Sequence, residues 1–218
     1  MSTLEHQDLY AALLHEMKNN LVLMAMTIER VPHTREADHD QPLDEARMLC
    51  QRVSERLMQA LLIYKSNSGG MVLNAVDAYS PEDFVNEMAR QARYLRTSHQ
   101  IETCIDPAVP PIWFFDRNLL EMALINAIHN SLSFAREHIR IRARMDDGML
   151  CLAVEDDSDG YPPHILEAVA QDRPLNSSGT GLGLRFASLI AKSHENDGRR
   201  GALSLRNDNG SVFEIRVP

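Results

Sequence analysis

A glycine-rich segment in the second half of the chain has the residue types that a phosphate-binding loop needs. It consists of Gly179, Thr180, Gly181, Leu182, Gly183 and Leu184. Glycines let backbone N–H groups approach an anion closely, and the helix expected to follow directs the positive end of its dipole at the phosphates. A dinucleotide-binding interpretation needs a strand immediately before the glycines, but the preceding stretch 171–178 is polar and loop-like. Taken alone, the segment fits a flexible loop closed by a helix cap better.

Two asparagines in an apolar helix are the second chemical feature. Asn126 and Asn130 lie one turn apart, so they share a face of the helix predicted from its cap, Asp116, to about Ala135. Asparagine is a poor helix former and costly to bury unpaired, so this pair indicates a polar partner. A hydrated Mg²⁺ that bridges phosphates is one such partner, because it binds oxygen ligands and keeps waters. Ordinary surface asparagines beside the core stripe are the alternative.

An acidic turn follows the apolar strand predicted at 149–154. Asp156, at the end of this strand, could accept a hydrogen bond from an adenine amino group. Gly160 would then let the backbone run beside the adenine ring. A simple acidic turn is the alternative, and for this segment alone it is the more economical one.

A histidine near the N-terminus is a candidate phosphoryl acceptor. His15 points away from the apolar stripe of its predicted helix, and Asn19 lies one turn later on the same face. An exposed imidazole can attack a γ-phosphate through Nε2 if a base holds the other ring N–H, and the neighbouring Glu16 is the candidate base. Zinc binding of the H-E-x-x-H type is excluded because the fifth residue is Asn19. A solvated histidine is the alternative for a lone His-Glu pair.

The elements that would position these residues fall into two parts. Residues of about 3–31 and 42–64 have apolar positions spaced by three or four, which predicts two amphipathic helices. Because one hairpin buries little, we expect residues 1–66 to pair with a second copy in a dimeric four-helix bundle. The stretch 67–74 begins with serine, asparagine and glycine residues and is predicted to be a linker.

Residues 75–218 alternate between strand and helix patterns, which predicts a mixed sheet with helices on one face. The first strand is expected at 72–76, so it overlaps the end of the linker. Further strands are expected at 100–105, 139–143, 149–154, 202–206 and 212–217. Helices are expected from Ser80 to about Arg96, from Asp116 to about Ala135, and after Leu184 to about Lys192. The aromatic run Trp113 to Phe115 is expected in the core. The predicted fold class is therefore α+β, a helical hairpin followed by an α/β sandwich.

Composition excludes several classes of function. A formal charge of −9 disfavours nucleic acid or an anionic membrane as the main partner. No apolar run is long enough to span a bilayer, and the N-terminus lacks the basic-then-apolar pattern of a signal peptide. The 3 cysteines are scattered and form no C-x-x-C pair, which indicates a reducing compartment. We therefore expect a cytoplasmic protein.

The three motifs of the second part, in this order, resemble the ATP-binding domain of sensor histidine kinases. The family pattern N-x-x-x-N-A matches residues 126–131, with Ser131 in place of alanine. The pattern D-x-G-x-G matches residues 156–160, with Ser158 in place of the first glycine. The pattern G-x-G-L-G-L matches residues 179–184 at every position.

This resemblance covers about residues 70–218 and implies the ATPase fold of that family, with ATP and Mg²⁺ as cofactors. Asn130 takes the metal-ligand position of the family. The nucleotide-binding residues that the resemblance implies are Asn126, Asn130, Asp156, Gly160, Gly179, Thr180, Gly181, Leu182 and Gly183.

The stretch from His15 to Leu21 resembles the phosphoacceptor box of histidine kinases, H-E-x-[KR]-[NT]-x-L. The resemblance implies that His15 carries the phosphoryl group and that Asn19 positions water for dephosphorylating a partner. The implied function is an ATP-dependent protein histidine kinase that autophosphorylates His15, with Glu16 as its base, and passes the phosphoryl group to an aspartate of a response-regulator receiver domain. The little sequence before His15 holds no sensor domain, so we expect input from a partner, a separate sensor protein or a part of a longer chain.

Three departures from the family pattern keep a second function open. Ser133 stands where a basic residue often follows the metal asparagine, Ser158 replaces a glycine, and the segment that would cover ATP is short, with Arg173 as its basic residue. These departures favour a phosphorelay protein with the same His15 and a degenerate ATP-binding domain without kinase activity. The intact glycine and asparagine motifs favour the kinase. A third hypothesis, an ATP-dependent interaction module, leaves the His15 box unexplained.

Overall fold

The structure, a computed structural model, describes residues 76–95, 99–173 and 181–218, together with the single helical residue Val53. The predicted hairpin 1–66, apart from Val53, and the predicted linker 67–74 lie outside the described residues. The two hairpin helices, the dimer and the domain boundaries therefore stay predictions.

A five-stranded mixed sheet is the main feature of the described part. In chain order its strands are β2 (Gln100–Ile105), β4 (His138–Asp146), β5 (Met149–Asp156), β8 (Ala202–Asn207) and β9 (Ser211–Val217), and their spatial order is β2-β4-β5-β9-β8. The pair β2 and β4 is parallel and the other neighbours are antiparallel. The register of β5 and β9 sets Asp156 opposite Ser211, which brings the acidic turn beside the last strand.

Four helices and two small ribbons complete the described part. The helices are α1 (Pro81–Leu95), α2 (Arg117–Phe134), α3 (Pro163–Ala170) and α4 (Gly181–Ser193). One antiparallel ribbon pairs β1 (Val76–Tyr79) with β3 (Trp113–Asp116), and the other pairs β6 (Glu195–Asn196) with β7 (Arg199–Arg200). None of these helices combines the length and apolar content that crossing a bilayer requires.

One face of the large sheet is apolar and packs against the helices, which confirms the predicted sandwich. Helix α1 packs on β2 and β4, α2 on β5, and α4 on β8 and β9. The strand residues on this face are fully buried: Ile139 and Ile141 on β4, Leu150, Leu152 and Val154 on β5, and Phe213 and Ile215 on β9. Because side chains of a strand alternate between faces, the residues between them form the opposite, charged face.

The charged face is held together around one buried carboxylate. Glu214 accepts hydrogen bonds from Arg144 at 2.9 Å and from Arg216 at 3.1 Å. Burial alone would raise the pKa of Glu214, but the hydrogen bonds from these two arginines hold it below its ordinary value. This network ties neighbouring strands together on the charged face.

The structure corrects the sequence prediction at two elements. Strand β3 carries the aromatic run that was expected wholly in the core, but Phe115 is fully buried whereas Phe114 is 64% exposed. Adjacent residues of a strand face opposite sides, so a run of three aromatics cannot all enter one core. Helix α3 was missed; it begins with Pro163 at its first position, where proline is favoured because its missing N–H has no helical partner.

Candidate functional site

Helix α2 begins where the sequence predicted. The Asp116 carboxylate accepts a hydrogen bond from the backbone N–H of Leu119 at 3.1 Å, which confirms Asp116 as the helix cap. The backbone N–H of Asp116 donates to Nε2 of His194, at the end of α4, at 3.0 Å. Because Nδ1 of His194 is also hydrogen-bonded to the carbonyl of Ile190 at 2.8 Å, the imidazole joins the N-cap of α2 to the last turn of α4.

Asn126 lies in the contact between α2 and α4. It is 7% exposed, and a Cβ on Gly183 would lie 2.3 Å from the Asn126 amide nitrogen. Any side chain at position 183 would therefore displace the amide or separate the helices. The third glycine of the glycine-rich segment is thus required by the packing of α4 on the asparagine helix.

The amide nitrogen Nδ2 of Asn126 is buried and, among the residues that the structure describes, has no hydrogen-bond partner. An unpaired buried donor costs about 1–3 kcal/mol. An anionic oxygen of a ligand lying between the asparagine helix and the glycine-rich segment would satisfy it. This orphaned donor fits a phosphate group, at a residue that the resemblance implies is nucleotide-binding.

Asn130 lies one helical turn after Asn126 and is half-buried. Within 76–95, 99–173 and 181–218, no three His, Cys, Asp or Glu side chains are grouped as metal ligands. A metal held here would take an amide oxygen from Asn130 and its other ligands from phosphates and water. Mg²⁺ fits this donor set, because it keeps several waters and is commonly bound together with substrate phosphates.

The carboxylate of Asp156 is 9% exposed and accepts four hydrogen bonds from the protein. Oδ1 accepts from the backbone N–H of Ser158 at 3.0 Å and of Ser211 at 3.3 Å. Oδ2 accepts from the hydroxyl of Ser131 at 2.6 Å and from that of Ser211 at 2.7 Å. Asp156, the residue predicted to bind adenine, is therefore held in one orientation by donors from α2, from its own turn and from β9.

Tyr161 extends this network on the side of β9. Burial raises the pKa of the Tyr161 phenol to about 12, against a hydrogen bond with Ser211 that lowers it, and the nearby Asp156 carboxylate raises it further. The phenol is therefore neutral at physiological pH. A neutral tyrosine beside a carboxylate adds no second negative charge to the site.

Gly160 adopts φ of +82°, a conformation that non-glycine residues rarely reach. A Cβ there would lie 2.6 Å from the side chain of Asn207. The Asn207 amide oxygen accepts a hydrogen bond from the backbone N–H of Tyr161 at 2.8 Å, and its amide nitrogen donates to the Tyr161 carbonyl at 3.0 Å. Gly160 was predicted to give an adenine ring room. The structure shows that it also gives room to Asn207, which locks the backbone that follows the acidic turn.

The other carboxylates of the acidic turn serve the fold. Asp157 accepts backbone hydrogen bonds from Arg136, Glu137 and His138. Burial would raise its pKa, but these three donors hold the pKa of Asp157 below its ordinary value. Asp159 pairs with Arg136 at the surface. Asp156 is therefore the carboxylate of this turn that the structure directs into the interior.

The structure brings Asn126 against Gly183, with Asn130 one turn later on the same helix, and it places Asp156 and Gly160 at the end of β5. Leu182 is partly buried against the core, and Gly181 is the first residue of α4. His15, Glu16, Asn19, Gly179 and Thr180 lie outside the described residues. Sequence reasoning missed Ser131, Ser211 and Asn207 as site residues; Ser131 was visible as a departure from the alanine of the family pattern.

The sequence of this part matches a known protein family. Residues 115–218 match the family described as histidine kinase-, DNA gyrase B- and HSP90-like ATPase. The match includes the asparagine helix, the acidic turn and the glycine-rich segment, and it implies ATP binding.

Curated relatives are sensor kinases. The chain is 23% identical over 234 positions to the sensor histidine kinase RppB of Synechocystis sp., which covers 98% of this chain and 49% of that protein. It is 28% identical over 190 positions to the sensor protein kinase CarS of Pseudomonas aeruginosa, covering 82% of this chain and 39% of that protein. The chain thus spans about half the length, or less, of these two relatives.

Solved structures share the fold. The histidine kinase AdeS of Acinetobacter baumannii matches with a TM-score of 0.63 at 18% identity, over 93% of this chain and 96% of that one. The histidine kinase ThkA, in complex with the response regulator TrrA, matches with a TM-score of 0.63 at 17% identity, over 96% of this chain and 60% of that one. The family match and the sensor-kinase relatives confirm the resemblance of the motifs to histidine kinases, and the solved structures share the fold.

Proposed function

We propose that the chain is an ATP-dependent protein histidine kinase that autophosphorylates His15 and passes the phosphoryl group to an aspartate of a response regulator. The observation that carries the nucleotide site is the unpaired, buried amide of Asn126 against Gly183. Within the part of the chain that the structure describes nothing satisfies this donor, and a bound anion would.

Each described motif has a task in this proposal. Asn126 donates to a phosphate oxygen, Asn130 offers its amide oxygen to Mg²⁺, and Asp156 accepts from the adenine amino group. ATP bound with Mg²⁺ would supply an electrophilic γ-phosphorus, with the negative charge of the phosphate oxygens partly neutralised. The protein contributes mainly positioning and electrostatic complementarity, because α2, β5 and α4 hold these side chains before a ligand arrives.

His15 is the acceptor in this proposal. Its Nε2 attacks the γ-phosphorus; an N–P bond forms as the bond from phosphorus to the bridging oxygen breaks and ADP leaves. Glu16 accepts a hydrogen bond from the Nδ1–H of His15, which makes Nε2 the nucleophile and stabilises the charge that develops on the ring. Asn19 positions water for removing phosphate from the partner.

The partners are proposed on the same basis. A response-regulator receiver domain is supported by the ThkA neighbour, whose structure contains a response regulator. Dimerisation through residues 1–66 is supported by their two apolar stripes. A separate sensor protein and a cytoplasmic location remain predictions from the sequence. Light scattering of the full chain tests the dimer, and a monomer at micromolar concentration would contradict it.

Labelling with γ-labelled ATP and Mg²⁺ tests the kinase. Wild type should acquire an acid-labile, base-stable label, as a phosphoramidate is, and His15→Ala should acquire none. Glu16→Gln should slow labelling by about 10²–10⁴-fold because His15 loses its general base. Asn19→Ala is the matched neighbour: it should be labelled normally and fail in removing phosphate from the regulator. Label that persists in His15→Ala would refute the assignment.

A phosphorelay protein without kinase activity is the second candidate. It is favoured by Asp156, because both of its carboxylate oxygens already accept two hydrogen bonds each within the protein. Ser133 adds to this, because its hydroxyl bonds the carbonyl of His129 in its own helix at 2.8 Å, where the family pattern often has a basic residue. A relay would take no label from ATP, yet it would accept a phosphoryl group on His15 from a phosphorylated regulator.

A further inference from the structure

We propose that the Ser131 hydroxyl competes with the base of the nucleotide for the Asp156 carboxylate, so that Ser131 weakens adenine binding and sets its affinity. This inference rests on the proposed function, in which Asp156 accepts a hydrogen bond from the adenine amino group. It concerns the position at which the chain has serine and the family pattern has alanine.

The competition follows from the number of acceptor positions. A carboxylate offers about four lone-pair positions, two on each oxygen. At Asp156 the backbone N–H groups of Ser158 and Ser211 occupy those of Oδ1, and the hydroxyls of Ser131 and Ser211 occupy those of Oδ2. An amino group that binds Asp156 must therefore displace one of these donors.

Ser131 is the donor that can leave at the lowest cost. The two backbone N–H groups belong to the acidic turn and to β9, which pairs with β5 along its length. The Ser211 hydroxyl is also hydrogen-bonded to Tyr161, so moving it would break two contacts. A serine hydroxyl in a helix can instead turn to the carbonyl one turn earlier, as Ser133 does with His129.

The bond that must break is a strong one. The oxygen–oxygen distance of 2.6 Å between Ser131 and Asp156 lies in the range of charge-assisted hydrogen bonds. The cost of breaking it is subtracted from the affinity for adenine. With alanine at 131, one acceptor position of Oδ2 would be open before the nucleotide arrives.

Calorimetry on the full chain tests the competition with two probes. The first is Mg-ATP; the second is the Mg complex of purine riboside triphosphate, which has a hydrogen atom in place of the amino group. Ser131→Ala should bind ATP about 3- to 10-fold more tightly than wild type, the fold-change that one net hydrogen bond allows. Its affinity for the second probe should be unchanged. Ser133→Ala, two residues on in the same helix, is the matched control and should change neither affinity.

A second substitution protects the test against misfolding. Ser131→Cys keeps the size of the side chain but donates weakly, so it should give a smaller, ATP-selective gain. Should Ser131→Ala fail to fold, Ser131→Cys decides the question alone.

The outcomes separate this inference from the proposed function. If wild type binds ATP and the Ser131 variants bind it equally or more weakly, the competition is wrong and the nucleotide site stands. If the variants gain equally for both probes, Ser131 acts on the general packing of the site and the competition is also wrong. If neither wild type nor the variants bind either probe, both the inference and the nucleotide-binding function fall. Binding of ATP by the variants alone would support the competition.

Discussion

The two ends of the candidate site differ in how completely their polar groups are paired. At the end of β5, the Asp156 carboxylate accepts four hydrogen bonds within the protein. At the contact of α2 with α4, the Asn126 amide nitrogen is buried without a partner among the described residues. Both groups are nearly inaccessible to water, so the difference lies in pairing and not in burial.

This difference separates the tasks of the two ends. A fully paired carboxylate is rigid before a ligand binds, and its orientation is stabilised by the fold itself. An unpaired buried amide costs stability in the empty protein and regains it when an acceptor arrives. Removal of the Asp156 carboxylate should therefore lower both stability and binding, whereas removal of the Asn126 amide should lower binding alone.

The largest effect on stability is expected for Asp156→Ala. It removes the acceptor of the buried Ser211 hydroxyl and of the backbone N–H groups of Ser158 and Ser211, so the free energy of unfolding should fall by about 3 kcal/mol. ATP binding should weaken strongly, and the remaining binding should discriminate poorly between ATP and GTP. Chemical denaturation and calorimetry measure these changes.

Asp159→Ala is the control on the same turn. Its carboxylate is exposed and pairs with Arg136 at the surface, so removal should cost at most about 1 kcal/mol. Equal losses for Asp156→Ala and Asp159→Ala would show that the buried hydrogen bonds of Asp156 do not stabilise the fold.

A smaller loss is expected for Gly183→Ala. The new methyl would lie against the Asn126 amide, so the α2–α4 contact should lose about 2 kcal/mol, with a matching loss of ATP affinity. The double variant Gly183→Ala with Asn126→Ala should recover most of the stability, because the clashing amide is gone. Additive losses in this double-mutant cycle would show that the two positions do not interact.

A pH-dependent loss of stability is expected from His194, whose imidazole is hydrogen-bonded between α2 and α4. Burial lowers the pKa of His194 below 6.5, although the Ile190 carbonyl and the Asp116 carboxylate raise it. The His194 imidazole is therefore protonated more readily in the unfolded chain than in the folded protein. Its contribution to the free energy of unfolding is complete above about pH 6.5 and declines as the pH falls below that value. Asp157 and Glu214, with pKa values lowered from 3.8 and 4.5, stay ionised in that range.

Thermal melts between pH 5 and 7 test this. His194→Gln should flatten the decline on the acid side, since no imidazole remains to be charged. His164→Gln, which changes an exposed histidine of α3, should leave the decline as in wild type. A decline that persists in His194→Gln would assign it to another group.

The smallest effect on stability is expected for Asn126→Ala. It removes an unpaired donor, so the free energy of unfolding should change by less than about 1 kcal/mol, while ATP binding falls at least 10-fold. A loss of several kcal/mol would mean that the amide is paired in the free protein, and the contrast with Asp156 would be wrong. Denaturation without nucleotide, followed by calorimetry with Mg-ATP, measures both quantities.

Much of the described fold could be predicted because its elements carry strong local signals. The cap of α2 was found from Asp116 before an apolar run, and β4 and β5 from alternation and the turn between them. The misses have physical causes. Strand β3 is short and aromatic, so it was predicted as core without an orientation. Helix α3 lies between Gly160 and Gly179, a segment that was predicted only as a short cover over ATP.

The candidate site was predicted only as separate motifs. The spacing of Asn126 and Asn130 placed them on one face of a helix, but it did not reveal that Gly183 of another helix touches one of them. The serines around Asp156 come from α2, the acidic turn and β9. No local pattern connects them, because hydrogen bonds across such distances in the chain depend on the register of strands and the packing of helices.

The sequence by itself determined which residue types are available: glycines, two asparagines one turn apart, and an aspartate after an apolar strand. Helix periodicity and strand alternation determined the order of elements, because both are set by neighbouring residues. Only the tertiary structure decided which groups are paired. It brought β9 beside β5 and α4 against α2, and so it gave Asp156 four hydrogen bonds and left the Asn126 amide nitrogen with none among the described residues. Pairing of buried polar groups is a property of the packed core, since only exclusion of water makes a missing partner costly.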